Sequence, residues 1–326
     1  MQEVQAADGR RLAVDCVGAT DGAPVFLLHG MPGSRNGPRP RASVLYRLGV
    51  RLICYDRPGY GGSDRHEGRQ VADAASDVLA IADSLGIKRF AVAGRSGGGP
   101  HALACGALLE DRITAVAALV SPAPRDADDL EWSEGMTNSN VDDYAGATKD
   151  AAAIARDFTK RAREIREDPE ILIAKLLGEM TEPDRRIVED FGMRKLLTET
   201  YSEAFRNGAD GWIDDAVALC TPWGFELSSI KVPVLLWHGE DDVYNPVTHT
   251  QWLSRKIQNG HGNNNVVVDI EPSAAHFDAM EILPEVLVWL KEPVVQNGCG
   301  SSARISLRSL RSVSTLGCSA PITAAS

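Results

Sequence analysis

Seven short, almost unbroken apolar runs constrain the fold of this chain more than any other feature. They are Leu12–Val17, Val25–His29, Leu52–Asp56, Phe90–Ala93 and Ala115–Val120, followed much later by Val234–His238 and Val266–Ile270. Each is rich in Val, Ile, Leu or Ala and lacks strict alternation, as expected of strands covered on both faces. Between them Val71, Ala75, Val78, Leu79, Ala82 and Leu85 recur at helical spacing, and Ser96 to Leu109 predicts another helix. This alternation predicts an α/β protein with a mostly parallel sheet wrapped by helices. At 326 residues and 44% hydrophobic, the length suits two domains or one large domain carrying an insertion.

The pattern changes between about Pro124 and Thr221. Ala147, Ala151, Ile154, Phe158, Ala162 and Ile165 form one helical stripe, and Ile187, Phe191, Leu197, Tyr201 and Phe205 form another, with Pro183 suited to a first turn. No strand signal interrupts this stretch, so it reads as a helical insertion between two strands of one sheet. Residues 125–215 hold 13 Lys/Arg against 23 Asp/Glu, which accounts for nearly all of the chain's formal charge of −11. Such a charge run is ordinarily a solvated outer face; the functional alternative is a lid that repels anionic substrates. From about Val294 to Ser326 the sequence holds eight Ser, three Arg and no acid, a composition that predicts disorder. Its 305–310 segment is too short to weigh as a docking helix.

The acidic balance argues against a nucleic-acid partner, which needs clustered Lys and Arg. No window approaches the ~18 uninterrupted apolar residues of a spanning helix. The opening MQEVQAADGR has no basic segment leading into an apolar one, so no secretory signal and no membrane association are expected. Cysteines 16, 54, 105, 220, 299 and 318 contain no C-x-x-C pair and are read as reduced structural thiols in a cytoplasmic protein.

The strongest local motif is Gly94-Arg95-Ser96-Gly97-Gly98, between the strand Phe90–Ala93 and a helix. This is G-x-S-x-G in the strand–turn–helix context that exposes a nucleophile. The glycines let the backbone bend sharply, and the Gly97 amide at a helix N-terminus suits a developing oxyanion. A serine hydroxyl needs a base. Of histidines 29, 66, 101, 238, 249, 261 and 276, the first and fourth close strands and read as structural. His101 lies within the helix, His249 on a helix that reads as surface, and His66 and His261 in polar loops. His276 follows the last strand at the carboxyl edge of the sheet, where reactive groups collect, and is the expected base.

The orienting carboxylate is expected in the loop after Val234–His238, which offers Glu240, Asp241 and Asp242. Asp242 is preferred because it lies three residues past Gly239 and four before Pro246; Asp241 is the fallback. The order Ser96, Asp242, His276 suits this kind of site. A second oxyanion amide is expected from Met31 in His29-Gly30-Met31-Pro32-Gly33, although those glycines and proline would also make a plain turn.

Together these segments, with Asp56-Arg57-Pro58-Gly59-Tyr60-Gly61-Gly62-Ser63 and Ala275-His276-Phe277, resemble the α/β-hydrolase superfamily. The likeness is to its cap-bearing esterase, lactonase and non-metal haloperoxidase-like members, and it spans roughly residues 1–292. It implies an eight-stranded, mostly parallel sheet with a helical cap inserted after the sixth strand. The core would then be 1–124 and 221–292, the cap 125–220, and the disordered tail 293–326. It also implies that Asp56 to Ser63 is a shape-setting loop and not catalytic. Ser96 stands where epoxide hydrolases and haloalkane dehalogenases carry Asp, so their chemistry is not implied. Arg95 replaces a more familiar apolar, aromatic or His residue; it would pair with an acid behind the turn or touch an anionic substrate group, since a buried Arg needs a partner.

The expected reaction is hydrolysis of a small carboxylic ester or lactone through an acyl-enzyme. Metal and cofactor are expected to be absent, because the histidines lack ligand spacing and no G-x-G-x-x-G follows a strand. C–C or amide hydrolysis, perhydrolysis, and a non-catalytic ligand-binding role on the same fold remain open. Gly30, Arg95, Trp132, Met136, Tyr144, Phe158, Trp212, Trp223 and Phe225 are candidate pocket residues, each of the aromatics being more often plain core. The acidic insertion favours a neutral, apolar small-molecule substrate. Monomer and homodimer stay equally open.

Overall fold

The computed structural model describes residues 1–258, 265–293 and 307. Its eight strands are β1 Gln2–Gln5, β2 Arg11–Gly18, β3 Ala23–Leu28, β4 Val50–Tyr55, β5 Phe90–Arg95, β6 Ile113–Leu119, β7 Val234–Gly239 and β8 Val266–Glu271. They form one sheet in the order β1-β2-β4-β3-β5-β6-β7-β8. Pairing is antiparallel at β1/β2 and β2/β4 and parallel across the other five junctions. Each of the seven apolar runs marks a strand, with His29, Asp56 and Val120 lying one residue past the ends of theirs. The eighth strand, β1, carries no apolar run: at this edge only Val4 is buried.

The central strands bury both faces, which explains their continuous hydrophobicity. Phe26, Leu28, Ile53 and Tyr55 point into one core layer, beneath α2 (Ala74–Ser84) and α3 (Gly98–Leu108). Val25, Leu27, Leu52 and Cys54 point into the other, covered by α1 (Ala42–Leu48) and the C-terminal helices. The chain leaves β3 toward β4 on one side and returns at β5 on the other. The loops after β3 and β5 therefore flank a crevice at the carboxyl ends of adjacent strands, the usual place for a ligand in an open α/β sheet.

Between β6 and β7 the chain makes six α-helices and no strand: α4 Asn138–Lys149, α5 Ala151–Glu167, α6 Glu170–Glu179, α7 Glu182–Val188, α8 Phe191–Ala204 and α9 Asp210–Cys220. The remaining helices are α10 Val247–Gln258, α11 Asp278–Glu281 and α12 Leu283–Lys291. Both stripes expected in the insertion are broken once. Asp150 ends α4 and caps α5 by accepting the Ala153 amide at 2.9 Å, and Ala151 is exposed. Asp190 caps α8 in the same way, which leaves Phe191 84% exposed rather than in the core. The expected tail at 293–326, the 305–310 segment, His261, Cys299 and Cys318 lie outside the described residues, apart from residue 293 and Leu307. No helix among the described residues is long and apolar enough to cross a membrane.

The insertion has its own apolar core, into which the Tyr60, Tyr244 and Phe277 side chains reach from sheet loops and Met280 from α11. It is also tied to the sheet by a buried ionic cluster. Asp215 on α9 accepts a two-pronged bond from Arg57 (Nη2 2.5 Å, Nε 3.3 Å), one from Arg69 at 2.6 Å and one from the Tyr60 hydroxyl at 2.9 Å. Burial alone would raise the Asp215 carboxyl; the charges of Arg57 and Arg69 hold it far below the usual carboxylate range. Removing one member of a buried cluster strands the others. Asp215→Ala is therefore expected to lower unfolding free energy by about 3–5 kcal/mol. Urea denaturation checks this, and a loss below ~1 kcal/mol would contradict the role given to the cluster.

Candidate active site

Ser96 sits at the tip of the turn between β5 and α3 with φ +53°, a left-handed backbone that a non-glycine residue adopts only under constraint. Its amide donates to Leu119 O at 2.9 Å and its carbonyl accepts the Gly99 amide at 2.8 Å. A side chain at Gly94 would strike the Gly98 carbonyl, and one at Gly98 would strike the carbonyls of Leu28 and His29. The turn therefore packs backbone on backbone, which only glycine allows.

His276 lies between β8 and α11. Its Nδ1 donates to Asp242 Oδ2 at 2.8 Å. Asp242 is buried and saturated: Oδ1 accepts the amides of Tyr244 (2.8 Å) and Asn245 (3.0 Å), and His238 Nε2 stands 3.2 Å from Oδ2. Burial would raise this carboxyl, but His276 and His238 hold it below the ordinary range. Among the adjacent acids, it is Asp242 that reaches His276. Ser96 and His276 line one cavity, and their side chains are not hydrogen-bonded to each other.

Gly97 and Met31 are brought together from separate loops: a Cβ built at Gly97 would lie 2.8 Å from Met31 Cβ and 3.4 Å from its amide nitrogen. Neither amide donates to another group among the described residues. The loop bearing Met31 is fixed from behind by Arg57. Its guanidinium donates to the carbonyls of His29 and Gly30, and its amide donates to His29 Nε2 at 3.1 Å. Asp56 accepts from Arg35 and from the Gly62 amide at 2.9 Å.

The cavity shared by Ser96 and His276 encloses about 90 Å³. Gly30, Arg95, Tyr144 and Trp212 line it as expected candidates, joined by Tyr201, Tyr244 and Phe277. The other aromatic candidates are elsewhere. Trp132 is buried against Tyr144 and His249 with its Nε1 donating to Ala123 O, and Met136 is buried in the same core layer. Phe158 is fully buried and stacks on Trp212 at 4.0 Å. Trp223 and Phe225 line a separate surface cleft near Trp252. His249, expected at the surface, is buried and bridges the Ala123 amide and Trp132 carbonyl. Arg95 meets no acid: among the described residues it makes neither ion pair nor hydrogen bond. Of the insertion's acids only Asp143 lines the cavity, alongside Arg95, Arg161 and Lys175.

Sequence reasoning missed Asp184 on α7. This buried carboxylate accepts the Phe277 amide at 2.6 Å through Oδ1, while Oδ2 has no partner. Burial raises it to about 7, against the opposing effects of His276 and the Phe277 amide and with support from Asp242 and Asp278. Nothing in the spacing of the acids marks it, since its surroundings come from a loop 93 positions away. No group of three His, Cys, Asp or Glu among the described residues could hold a metal ion.

From the ordinary 3.8 up to about 7 the folded chain binds a proton at Asp184 that the unfolded chain has released, so stability falls as pH rises through that window. Asp184→Asn keeps an acceptor for Phe277 without the charge. It should be more stable than the parent at pH 8, by on the order of 2–4 kcal/mol, and nearly equal to it at pH 4. Urea midpoints at both pH values test this; parallel pH dependences would contradict it.

An alpha/beta hydrolase fold family model matches residues 23–281. The AB hydrolase superfamily protein YisY of Bacillus subtilis is 28% identical over 241 residues, 73% of this chain and 81% of that protein. The bifunctional esterase/perhydrolase DCH of Acinetobacter calcoaceticus is 25% identical, over 74% of this chain and 82% of that one. Among solved structures, a thermophilic esterase from Thermogutta terrifontis superposes with TM-score 0.61 at 19% identity, covering 89% of this chain and 96% of its own.

Proposed function

The chain belongs to the alpha/beta hydrolase fold family, and from that premise we propose that it is a serine hydrolase of small carboxylic esters or lactones. The observation that carries this reading is the left-handed Ser96 sharing a cavity with a His276 whose far nitrogen is bonded to buried Asp242. Ser96 attacks the acyl carbon while His276 Nε2 takes its proton. Asp242 holds the imidazole in the tautomer that leaves Nε2 free and balances the imidazolium that forms. The Met31 and Gly97 amides receive the oxyanion. Collapse expels the alcohol, protonated by His276, and a water activated by the same imidazole then releases the acid.

The helices of 125–220 act as the cap in this reading, contributing Tyr144, Tyr201 and Trp212 to the cavity. Perhydrolysis, with hydrogen peroxide replacing water in the second step, is a related reading that the Acinetobacter relative favours.

A fluorophosphonate probe should label the chain stoichiometrically, and Ser96→Ala should abolish labelling. Unlabelled parent protein that still binds ligands would point to the non-catalytic role. Asp242→Asn should lower kcat toward p-nitrophenyl esters by about 10³–10⁴-fold, because the wrong imidazole tautomer then faces Ser96. A loss under ten-fold would contradict its assignment.

A further inference from the structure

Arg95 precedes Ser96 and is the one cation at the cavity whose charge has no account. Arg161 is spoken for: it forks to Asp143 at 2.7 and 3.2 Å and lies over the Trp212 ring. Lys175 stands exposed at the rim. Arg95 is only partly exposed, makes no hydrogen bond or ion pair among the described residues, and lines two cavities at once. The second, about 30 Å³, lies behind the Gly30–Pro32 turn and is walled by Leu27, Leu119, Met280 and Leu283.

The charged and titratable groups that act on Arg95 are Tyr201 on α8 and Asp184 on α7, and neither bonds to it. Burial pulls its guanidinium below the ordinary range, against the opposing effects of those two groups. A partly desolvated guanidinium without a counter-charge is unfavourable in the empty site, and an anion arriving in the right place removes that penalty. The place is defined by Gly30. One point, the position a Cβ would take there, is 3.4 Å from Ser96 Cβ and 3.5 Å from Arg95 Nη2. Nucleophile and guanidinium therefore flank the same loop residue, separated by the length of a few carbon atoms.

We propose that Arg95 binds a carboxylate carried by the substrate, a short spacer away from the scissile carbonyl. The preferred substrates are then half-esters of short dicarboxylic acids or carboxyl-bearing lactones, not neutral esters. This rests on the serine-hydrolase reading and names its substrate class. The planar guanidinium takes a carboxylate through two parallel bonds, which fixes the far end of the acyl chain and sets the carbonyl against Ser96 and the Met31 and Gly97 amides. The negative charge of the insertion does not oppose this, since Asp143 is the one acid at the cavity and is already paired with Arg161.

The test compares two esters of equal chain length, mono-p-nitrophenyl glutarate and p-nitrophenyl valerate. The parent enzyme should favour the glutarate ester by at least about ten-fold in kcat/KM, as expected of a charge-assisted bond pair. Arg95→Gln should collapse that ratio by about 30-fold, mainly through KM, and Arg95→Lys should restore part of it. A parent enzyme that prefers valerate, or a ratio unchanged in Arg95→Gln, would overturn the proposal. If the variants fail to fold, inhibition of the parent decides the matter: glutarate should compete with the valerate ester and neutral glutaramide should not, and equal effects of the two overturn the assignment. If neither ester is hydrolysed and Ser96 resists labelling, the hydrolase reading has failed. Calorimetric titration of glutarate into Ser96→Ala then judges Arg95 alone, with no heat of binding counting against it.

Discussion

A serine held in a left-handed backbone conformation is the constraint around which this molecule is arranged. Such a conformation costs an L-residue on the order of 1–3 kcal/mol, and it persists only where its surroundings leave no alternative. Here they do not. The Ser96 amide is tied to the end of β6, its carbonyl starts α3, and β3 lies so close behind Gly98 that no side chain fits. The two core layers exist on either side of this junction because β3, β5 and β6 are apolar on both faces. Their stability is what keeps the turn from relaxing.

The second organising interaction is ionic and links sheet, insertion and the loop that follows β3. Arg57 holds the carbonyls of His29 and Gly30 with the same guanidinium that pairs with Asp215 on α9. Any shift of the insertion is thereby felt at the loop that presents the Met31 amide. Asp184 makes a parallel connection on the other side, from α7 to the amide of Phe277 beside His276. The insertion is thus bonded to both loops that carry the proposed chemistry, as well as roofing the cavity between them.

How much of this was legible in the sequence depended on whether the controlling contacts are local. Seven of the eight strands were, because each carries a nearly continuous apolar run; β1 was not, because a short strand with one buried residue leaves no pattern. Turn chemistry and chain order singled out Ser96, His276 and Asp242; the first has the left-handed backbone of a tight turn, and the other two are joined by a hydrogen bond. The breaks at Asp150 and Asp190 were missed since a capping side chain overrides an apolar stripe that would otherwise continue through it. Trp132 and Phe158 illustrate the limit for pocket residues. Aromatics spaced along an insertion look alike in sequence, and only the packing of α4, α5 and α9 decides which of them face a cavity and which fill a core. Asp215 and Asp184 carry no signal at all, because the cations and amides that give them meaning come from residues far away in the chain.

The proposed chemistry turns on one covalent event, transfer of an acyl group to the oxygen of Ser96. Acid-quenching the enzyme within milliseconds of mixing with a p-nitrophenyl ester, followed by intact mass and peptide mapping, observes that event directly. A mass increase of one acyl group, located on the peptide containing Ser96 and discharged with time, is the predicted result. Product formed with no adduct at any quench time, or an adduct on a different side chain, would contradict it.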